Sequence, residues 1–195
     1  PHLDSIDVFL RDAGGNLTVM SGGDLYPFSA RYVEHRHFLF PLQLPADREQ
    51  VVLIRVRSES AFNVPLSLVR ESAHLHGAAN EQFAFGIYYG IILVMILYNL
   101  FIYFSVRDVS YFYYVCYITG LLWLQLVLTG HGFQYLWSGS SWLQRNSYIL
   151  SSNFMLASVL MFAKRFLNTK ELVPRLDKAI KITIGFLTFL FFTPW

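Results

Sequence analysis

The longest uninterrupted hydrophobic segment of the chain extends from Phe83 to Val106. It contains no Lys, Arg, Asp, Glu, His or Pro. As a helix it would be about 36 Å long, which exceeds the ~30 Å thickness of the hydrocarbon layer of a bilayer. A helix at the edge of a soluble core would carry a polar stripe, which this segment lacks. The pattern therefore predicts a membrane-spanning helix over 83–106.

Further apolar segments follow, separated by short polar ones. The segment Arg107–Ser110 is too short to hold a domain, so it is expected to join two antiparallel spans. Pro174 is expected to break any helix in the basic segment 164–181. The remaining spans are predicted at 111–129, 146–163 and 182–195. Residues 83–195 thus predict an α-helical transmembrane bundle. The last span is truncated, because the chain ends within an apolar segment, and we expect the chain to be a piece of a longer protein.

Before residue 83 the hydrophobic positions follow the two-residue period of β-strands. Ser5–Arg11 alternates polar and apolar residues, and a second such segment at 17–20 follows the turn residues Gly14 and Gly15. Further strands are predicted at 37–40, 51–57 and 66–69. Short strands separated by Gly and Pro suggest an antiparallel β-sandwich, or jelly roll. We therefore interpret residues 1–78 as the C-terminal portion of such a domain, with its first strands upstream.

Charge is distributed unevenly between the two parts. Up to Glu81 there are seven Arg against ten Asp and Glu, a net charge of −3, and after Gln82 there are eight Lys and Arg against three acids, a net charge of +5. Every Lys lies at or beyond Lys164. Because these cations lie beside predicted spans rather than on a soluble face, they do not indicate a nucleic-acid partner. The positive-inside bias predicts that the β part lies on the opposite side of the membrane from the lysines.

A group of aromatic and charged residues is a candidate ligand site in the β part. Tyr26, Phe28, Arg31 and Tyr32 combine rings with a guanidinium group, as small-molecule and sugar pockets do. Ordinary loop packing is the alternative. The preceding Gly22-Gly23-Asp24 is interpreted as a turn between strands.

Two histidine pairs are weak candidates for a metal site. His35 and His37, like His74 and His76, are spaced so that both rings of a pair could lie on one face of a strand. No third ligand is evident from the spacing. We therefore predict no bound metal and no other cofactor, with surface histidines as the simpler interpretation.

Within the predicted spans, small and amide residues indicate helix packing. Gly86 and Gly90 form a G-x-x-x-G pattern, and Asn99 could hydrogen-bond between helices. No charged residue lies deep in a span, which counts against a transporter. No nucleophile–base pair, phosphate-binding loop or carboxylate pair is present, so the chain is not expected to be an enzyme. The single cysteine, Cys116, excludes an internal disulfide.

Several short motifs occur in a fixed order along nearly the whole chain. They are Asp24-Leu25-Tyr26-Pro27-Phe28, Phe40-Pro41-Leu42-Gln43-Leu44-Pro45, Ile54-Arg55-Val56-Arg57-Ser58, Val64-Pro65-Leu66-Ser67-Leu68, Gly86-Ile87-Tyr88-Tyr89-Gly90, Leu97-Tyr98-Asn99-Leu100-Phe101, Arg107-Asp108, Ser110-Tyr111 and Gly132-Phe133-Gln134-Tyr135-Leu136-Trp137. In this order the chain resembles the bacterial seven-transmembrane receptors with diverse intracellular signalling modules.

This resemblance implies a periplasmic jelly-roll sensor of a small, carbohydrate-like ligand, joined to a seven-helix domain in the bacterial inner membrane. It also implies a cytoplasmic output beyond this chain, such as a diguanylate cyclase or a histidine kinase. The expected partners are the lipid bilayer, the ligand and, as an open option, a second copy of the chain as a homodimer. The alternatives are a membrane-anchored binding or scaffold protein that does not signal, and an envelope enzyme or transporter.

Overall fold

The structure is a computed structural model that describes residues 3–11, 17–44, 50–58 and 64–192, with the side chains of 71–76, 191 and 192 left out of the description. Its strands and α-helices are β1 (Ser5–Arg11), β2 (Leu17–Gly22), β3 (Val51–Arg57), α1 (Glu71–Val106), α2 (Val109–Thr129), α3 (Ser141–Phe166), α4 (Thr169–Leu172) and α5 (Pro174–Phe192). The chain divides into two compact units. The sheet unit contains residues 1–65 and 126–147, and the helical unit contains residues 66–125 and 148–195.

The three strands form one antiparallel sheet in the order β2-β1-β3. In the middle of β1, Val8 pairs with Met20 of β2 and with Ile54 of β3. Alternation directs Ile6 and Val8 to one face, where they are 5% and 2% exposed. The two-residue period thus correctly predicted all three strands, and β1 and β2 form the predicted antiparallel pair. The turn predicted at Gly14 and Gly15 lies outside the described residues.

Two of the predicted strands do not form. Residues 37–40 are not in a strand, because Phe38 and Phe40 pack as partly buried rings against the core formed by β1 and β2. Residues 66–69 also form no strand, and Leu66 and Leu68 are 68% and 76% exposed. Short apolar segments cover a sheet as readily as they extend it, and their pattern alone does not distinguish the two. A second sheet, which a sandwich requires, does not form among the described residues, so the jelly roll stays a prediction.

Helix α1 begins at Glu71, twelve residues before the apolar segment that starts at Phe83. It ends at Val106, where Arg107 takes the left-handed conformation (φ 57°) and donates its backbone N–H to the carbonyl of Tyr103. Asp108 then caps α2, because its carboxylate accepts the backbone N–H of Ser110 at 2.9 Å. Hydrogen bonding from Ser110 lowers the pKa of Asp108. The turn between the first two spans is therefore two residues long.

Helices α2 and α3 approach each other closely at Gly120. A Cβ at this position would lie 2.8 Å from the Cα of Met155, so only glycine allows the contact. On one side of this point, Tyr114 and Phe162 have ring centroids 5.5 Å apart. On the other side, Trp123 contacts Phe154.

Among the described residues, three helices are long and apolar enough to cross a membrane: α2, α3 and the part of α1 from Gly77 to Val106. Helix α5 is not among them, since its first two turns carry Arg175, Asp177, Lys178 and Lys181. Pro174 was expected to break any helix in this segment, and the helical structure is interrupted directly before it, at Val173 between α4 and α5, with Pro174 as the first residue of α5. Proline is favoured at this position, where its fixed φ suits the helix and its missing N–H would have no helical partner. The fold class, a sheet followed by membrane helices, is confirmed.

Candidate functional site

Arg31 is a buried charge enclosed by aromatic rings within the sheet unit. Its side chain is only 9% exposed. The guanidinium carbon lies 4.3 Å from the ring centroid of Phe38, 4.7 Å from that of Phe28 and 5.5 Å from that of Phe133. A cation at such distances is attracted by the electron-rich ring faces. We call Asp24, Phe28, Arg31, Phe38 and Phe133 the Arg31 cluster.

The polar partners of Arg31 come from the turn around it. Its Nη1 donates to the carbonyl oxygens of His35 (2.6 Å) and Arg36 (2.9 Å). Its Nη2 lies 3.6 Å from the carboxylate of Asp24, which also accepts the backbone N–H of Leu3. Burial lowers the pKa of Arg31 and the charge of Asp24 raises it, and guanidinium stays protonated in proteins. A buried full charge is thus held by neutral carbonyls, ring faces and one carboxylate.

One donor of Arg31, Nε, has no hydrogen-bond partner among the described residues. The neighbouring cavity has a volume of about 10 Å³ and is lined by Arg31, Tyr32 and Phe38 among others. A volume of this size holds about one water molecule. As it stands, the space beside Arg31 is too small for a sugar.

The loop between α2 and α3 supplies one wall of the Arg31 cluster. Phe133 is 1% exposed, and its ring stands edge-on to that of Phe28 at 5.7 Å. The backbone N–H of Phe28 donates to the carbonyl of Ser138 at 3.1 Å. Gly130, with φ 79°, approaches Arg36 so closely that a Cβ on it would lie 3.4 Å from the Arg36 Cβ. The loop that joins two predicted spans thus packs against the segment 28–38 of the sheet unit.

A π-helical turn, Gly132–Leu136, holds this loop in shape. The Trp137 backbone N–H donates to the carbonyl of Gly132, and its indole ring covers Gly132 so closely that a Cβ there would overlap it. The indole N–H donates to Gln144 at 3.2 Å. Phe133 therefore reaches the Arg31 cluster from a turn whose geometry needs a glycine at 132.

The four residues predicted to bind ligand are only partly brought together. Phe28 and Arg31 are buried in contact with each other, whereas Tyr26 and Tyr32 are 44% and 51% exposed. The observed contact between the Phe28 ring and the Arg31 guanidinium corresponds to the alternative, ordinary loop packing. Ligand binding by the exposed tyrosines stays a prediction.

The rings of His35 and His37 are near each other, with centroids 5.3 Å apart. The Nδ1 of His35 accepts the backbone N–H of His37 at 3.1 Å, which favours a proton on Nε2 and so disfavours metal binding there. No group of three or more His, Cys, Asp or Glu side chains suited to a metal occurs in the part of the chain that the structure describes. The side chains of His74 and His76 lie outside that part.

The predicted helix-packing residues have surroundings different from those expected. A Cβ at Gly86 or Gly90 would meet nothing within 4 Å in this chain, whereas Gly120, which the pattern missed, lies at a close helix contact. Asn99 donates to the carbonyl of Met95 in its own helix and lines an open cavity of about 820 Å³. Contacts of Gly86 and Gly90 with other helices stay a prediction.

A second buried charge, Asp177, lies in the helical unit and is 5% exposed. Its carboxylate is 2.8 Å from the Nζ of Lys181 and 3.7 Å from that of Lys164. It also accepts the hydroxyl of Thr169 at 3.3 Å. The Lys181 hydrogen bond, with the charges of both lysines, lowers the pKa of Asp177 despite its burial. We call Lys164, Thr169, Asp177 and Lys181 the Asp177 cluster.

Sequence reasoning missed the contact of Phe133 and Ser138 with Phe28. These residues are more than 100 positions apart in the chain, so no local period connects them. The available signal was composition, since the loop contains His131, Phe133 and Trp137 and is too aromatic for a solvated turn.

Comparison with known families finds a match for each of the two parts of the chain. Residues 81–195, more than half of the chain, match the model of the family described as 7TM diverse intracellular signalling. Residues 1–70 match the model described as 7TMR-DISM extracellular 2. No curated protein and no solved structure matches the chain. The two matches confirm the resemblance and give the predicted order, an extracellular part followed by a membrane part.

Proposed function

Because the chain belongs to the family of 7TM receptors with diverse intracellular signalling, we propose that it senses a small, carbohydrate-like ligand and transmits the signal across the bacterial inner membrane. The ligand binds to the periplasmic part, and the membrane helices pass the change to a cytoplasmic output such as a diguanylate cyclase or a histidine kinase. In this proposal the chain binds and transmits but catalyses no reaction.

The observation that carries this proposal is the Arg31 cluster. It joins residues of the N-terminal part, Phe28 and Arg31, to Phe133 in the loop between α2 and α3. That loop continues directly into both helices, which are long and apolar enough to cross a membrane. A displacement of segment 28–38 would therefore act on the ends of two predicted spans.

Ligand energy can act on this junction only if the ligand prefers one arrangement of it. The exposed rings of Tyr26 and Tyr32 lie close in sequence to the enclosed Phe28 and Arg31. A sugar stacked on the rings of Tyr26 and Tyr32 would favour the conformation of the turn in which both rings are accessible to it. The carbonyl contacts of Arg31 would then change together with its contact to Phe133.

The charge distribution supports a periplasmic N-terminal part. With that orientation the inner segments hold seven of the basic residues that follow Gln82 (Arg107, Lys164, Arg165, Lys170, Arg175, Lys178 and Lys181), and the outer loop holds only Arg145. Reporter fusions after Gly77 and near Lys170 should report opposite compartments. Both reporters in one compartment would contradict the orientation.

A disulfide across the junction tests transmission. Cysteines at Arg36 and Gly130 would place their Cβ atoms about as close as a disulfide requires. In a protein that carries this chain and its cytoplasmic output, with Cys116→Ser, the oxidised pair should make the output insensitive to an activating sugar. That sugar would first be identified by the shift that it causes in the thermal midpoint of the chain.

The same protein provides the controls. Reduction should restore the response, and Gly130→Ala should separate the effect of a side chain at positive φ, which costs about 1–2 kcal/mol, from that of the cross-link. If the oxidised protein still responds fully, the junction does not transmit. The chain is then better described by the second candidate function, a membrane-anchored binding or scaffold protein.

A further inference from the structure

Helix α5 has two sharply different faces. Asp177, Ile180 and Leu187 are 5%, 8% and 7% exposed, and their spacing of three and seven residues places them on one side of the helix. This side packs within the helical unit, where Asp177 forms the Asp177 cluster.

The opposite face is exposed and changes character along the helix. Its residues follow one another at steps of three or four and are Arg175, Lys178, Ile182, Phe186 and Phe189. The three apolar side chains are 65%, 59% and 66% exposed. The face therefore begins with two cations and continues as an apolar strip.

The two cations of this face, and Lys170 of the preceding helix α4, are not used in ion pairs among the described residues. The Asp177 cluster already engages Lys164 and Lys181. Among the described residues, Lys170, Arg175 and Lys178 form no ion pair, and all three are exposed. The buried acid thus takes up two lysines and leaves three cations facing outward.

We propose that this face binds anionic phospholipid, with the phosphate headgroup at Arg175 and Lys178 and at Lys170 of the preceding helix α4, and an acyl chain along Ile182, Phe186 and Phe189. The apolar part of α5 begins at Ile182, directly after the basic first turns of the helix, and is apolar enough to enter a leaflet of the bilayer. When this part lies in the leaflet, the cations lie at headgroup depth, where basic residues attract anionic lipid. The site does not depend on the proposed sensing function, since it requires only that the chain lies in a membrane.

Native mass spectrometry of the chain in neutral-detergent micelles tests this site, with phosphatidylglycerol and phosphatidylcholine as the two probes. Each basic residue near an anionic surface favours binding by roughly fivefold. The variant Lys170→Gln/Arg175→Gln/Lys178→Gln should weaken binding of the first phosphatidylglycerol by roughly tenfold or more and leave phosphatidylcholine binding unchanged. Lys170→Arg/Lys178→Arg should retain the preference, and an unchanged thermal midpoint would show that the variants fold.

The matched control removes the same charge at residues that precede α5 by more than 100 positions in the sequence. Arg11→Gln/Arg57→Gln/Arg70→Gln should bind phosphatidylglycerol as the wild type does. Equal binding of both lipids, or no loss in the α5 variant, would overturn the proposal. So would displacement of the lipid by inorganic phosphate, which indicates a soluble-anion site, or a shift from dimer to monomer in the variant, which indicates that a second copy covers this face.

Discussion

The Arg31 cluster and the Asp177 cluster each bury one charge, but they neutralise it differently. Arg31 has a single carboxylate at 3.6 Å, and its remaining partners are carbonyls and rings. Asp177 has two lysines, whose side chains are 34% and 56% exposed and so keep contact with water. The cation is enclosed by segments far apart in the chain, whereas the acid is held entirely within residues 164–181.

This difference predicts which of the two clusters is more sensitive to a displacement of the residues around it. A local cluster with hydrated counter-charges tolerates small movements, because water replaces a lost contact. Beside Arg31 there is room for only about one water molecule, so a displaced wall leaves a lost contact largely uncompensated and raises the electrostatic energy of the charge. We therefore expect the Arg31 cluster to be the more sensitive of the two.

The largest effect should follow from Asp24→Asn, which leaves the guanidinium of Arg31 buried without a counter-charge. Loss of one partner of a buried pair costs about 3 kcal/mol or more. The thermal midpoint of the chain in detergent should fall clearly. Because Arg31→Met removes the charge itself and keeps the apolar stem, the double variant should be more stable than Asp24→Asn alone, and an additive loss would contradict the pairing.

A smaller effect is expected from Gly132→Ala, which displaces Trp137 and with it the turn that positions Phe133. Overpacking of this kind costs about 1–3 kcal/mol. The indole fluorescence should shift as its hydrogen bond to Gln144 is lost. Gly139→Ala is the matched control, since a Cβ there meets nothing within 4 Å. Equal behaviour of the two variants would show that the loop does not pack as described.

Asp177→Asn should destabilise the chain less than Asp24→Asn does, and in a pH-dependent way. Because the Lys181 hydrogen bond lowers the pKa of Asp177 in the folded state, its stabilising contribution is present above the unfolded pKa near 4 and is lost as the pH falls through the folded pKa. The difference in thermal midpoint between wild type and variant should therefore be largest near pH 7 and shrink below about pH 4. A difference that grows on acidification would refute this sign.

The smallest effect of the four is expected at the sheet surface, for Arg55→Gln. Arg55 donates to Asp7 at 2.7 Å, but its side chain is 57% exposed. Exposed pairs contribute little, because water and salt screen them. The thermal midpoint should barely change, and a loss comparable to that of Asp24→Asn would remove the distinction between enclosed and hydrated charges.

The elements that were predicted from the sequence are those with a local pattern of hydrophobic residues. The alternation in Ser5–Arg11 predicted β1, and the uncharged segment 83–106 predicted a span within α1. The first twelve residues of α1 were missed, because a helix that begins in polar sequence gives no hydropathy signal. The interruption at Pro174 was predicted, but the start of α5 at the same residue was not, because proline both ends and begins helices.

The candidate site was predicted only in part. Phe28 and Arg31 were identified from their residue types as a candidate ligand site with loop packing as the alternative, and the structure shows them packed against each other. Their partner Phe133 follows more than 100 residues later. Neither its role nor that of Gly120 could be derived from spacing, because both depend on which segments meet in three dimensions.

The length of α1 has a mechanical consequence. Its 36 residues form an unbroken rod of about 54 Å, nearly twice the hydrocarbon thickness. A helix that continues without interruption from Glu71 to Val106 contains no hinge at which a displacement of its first residues would be lost. In the proposed receptor we therefore expect a displacement imposed on the start of α1 to be carried to Arg107, because no residue between them interrupts the helix.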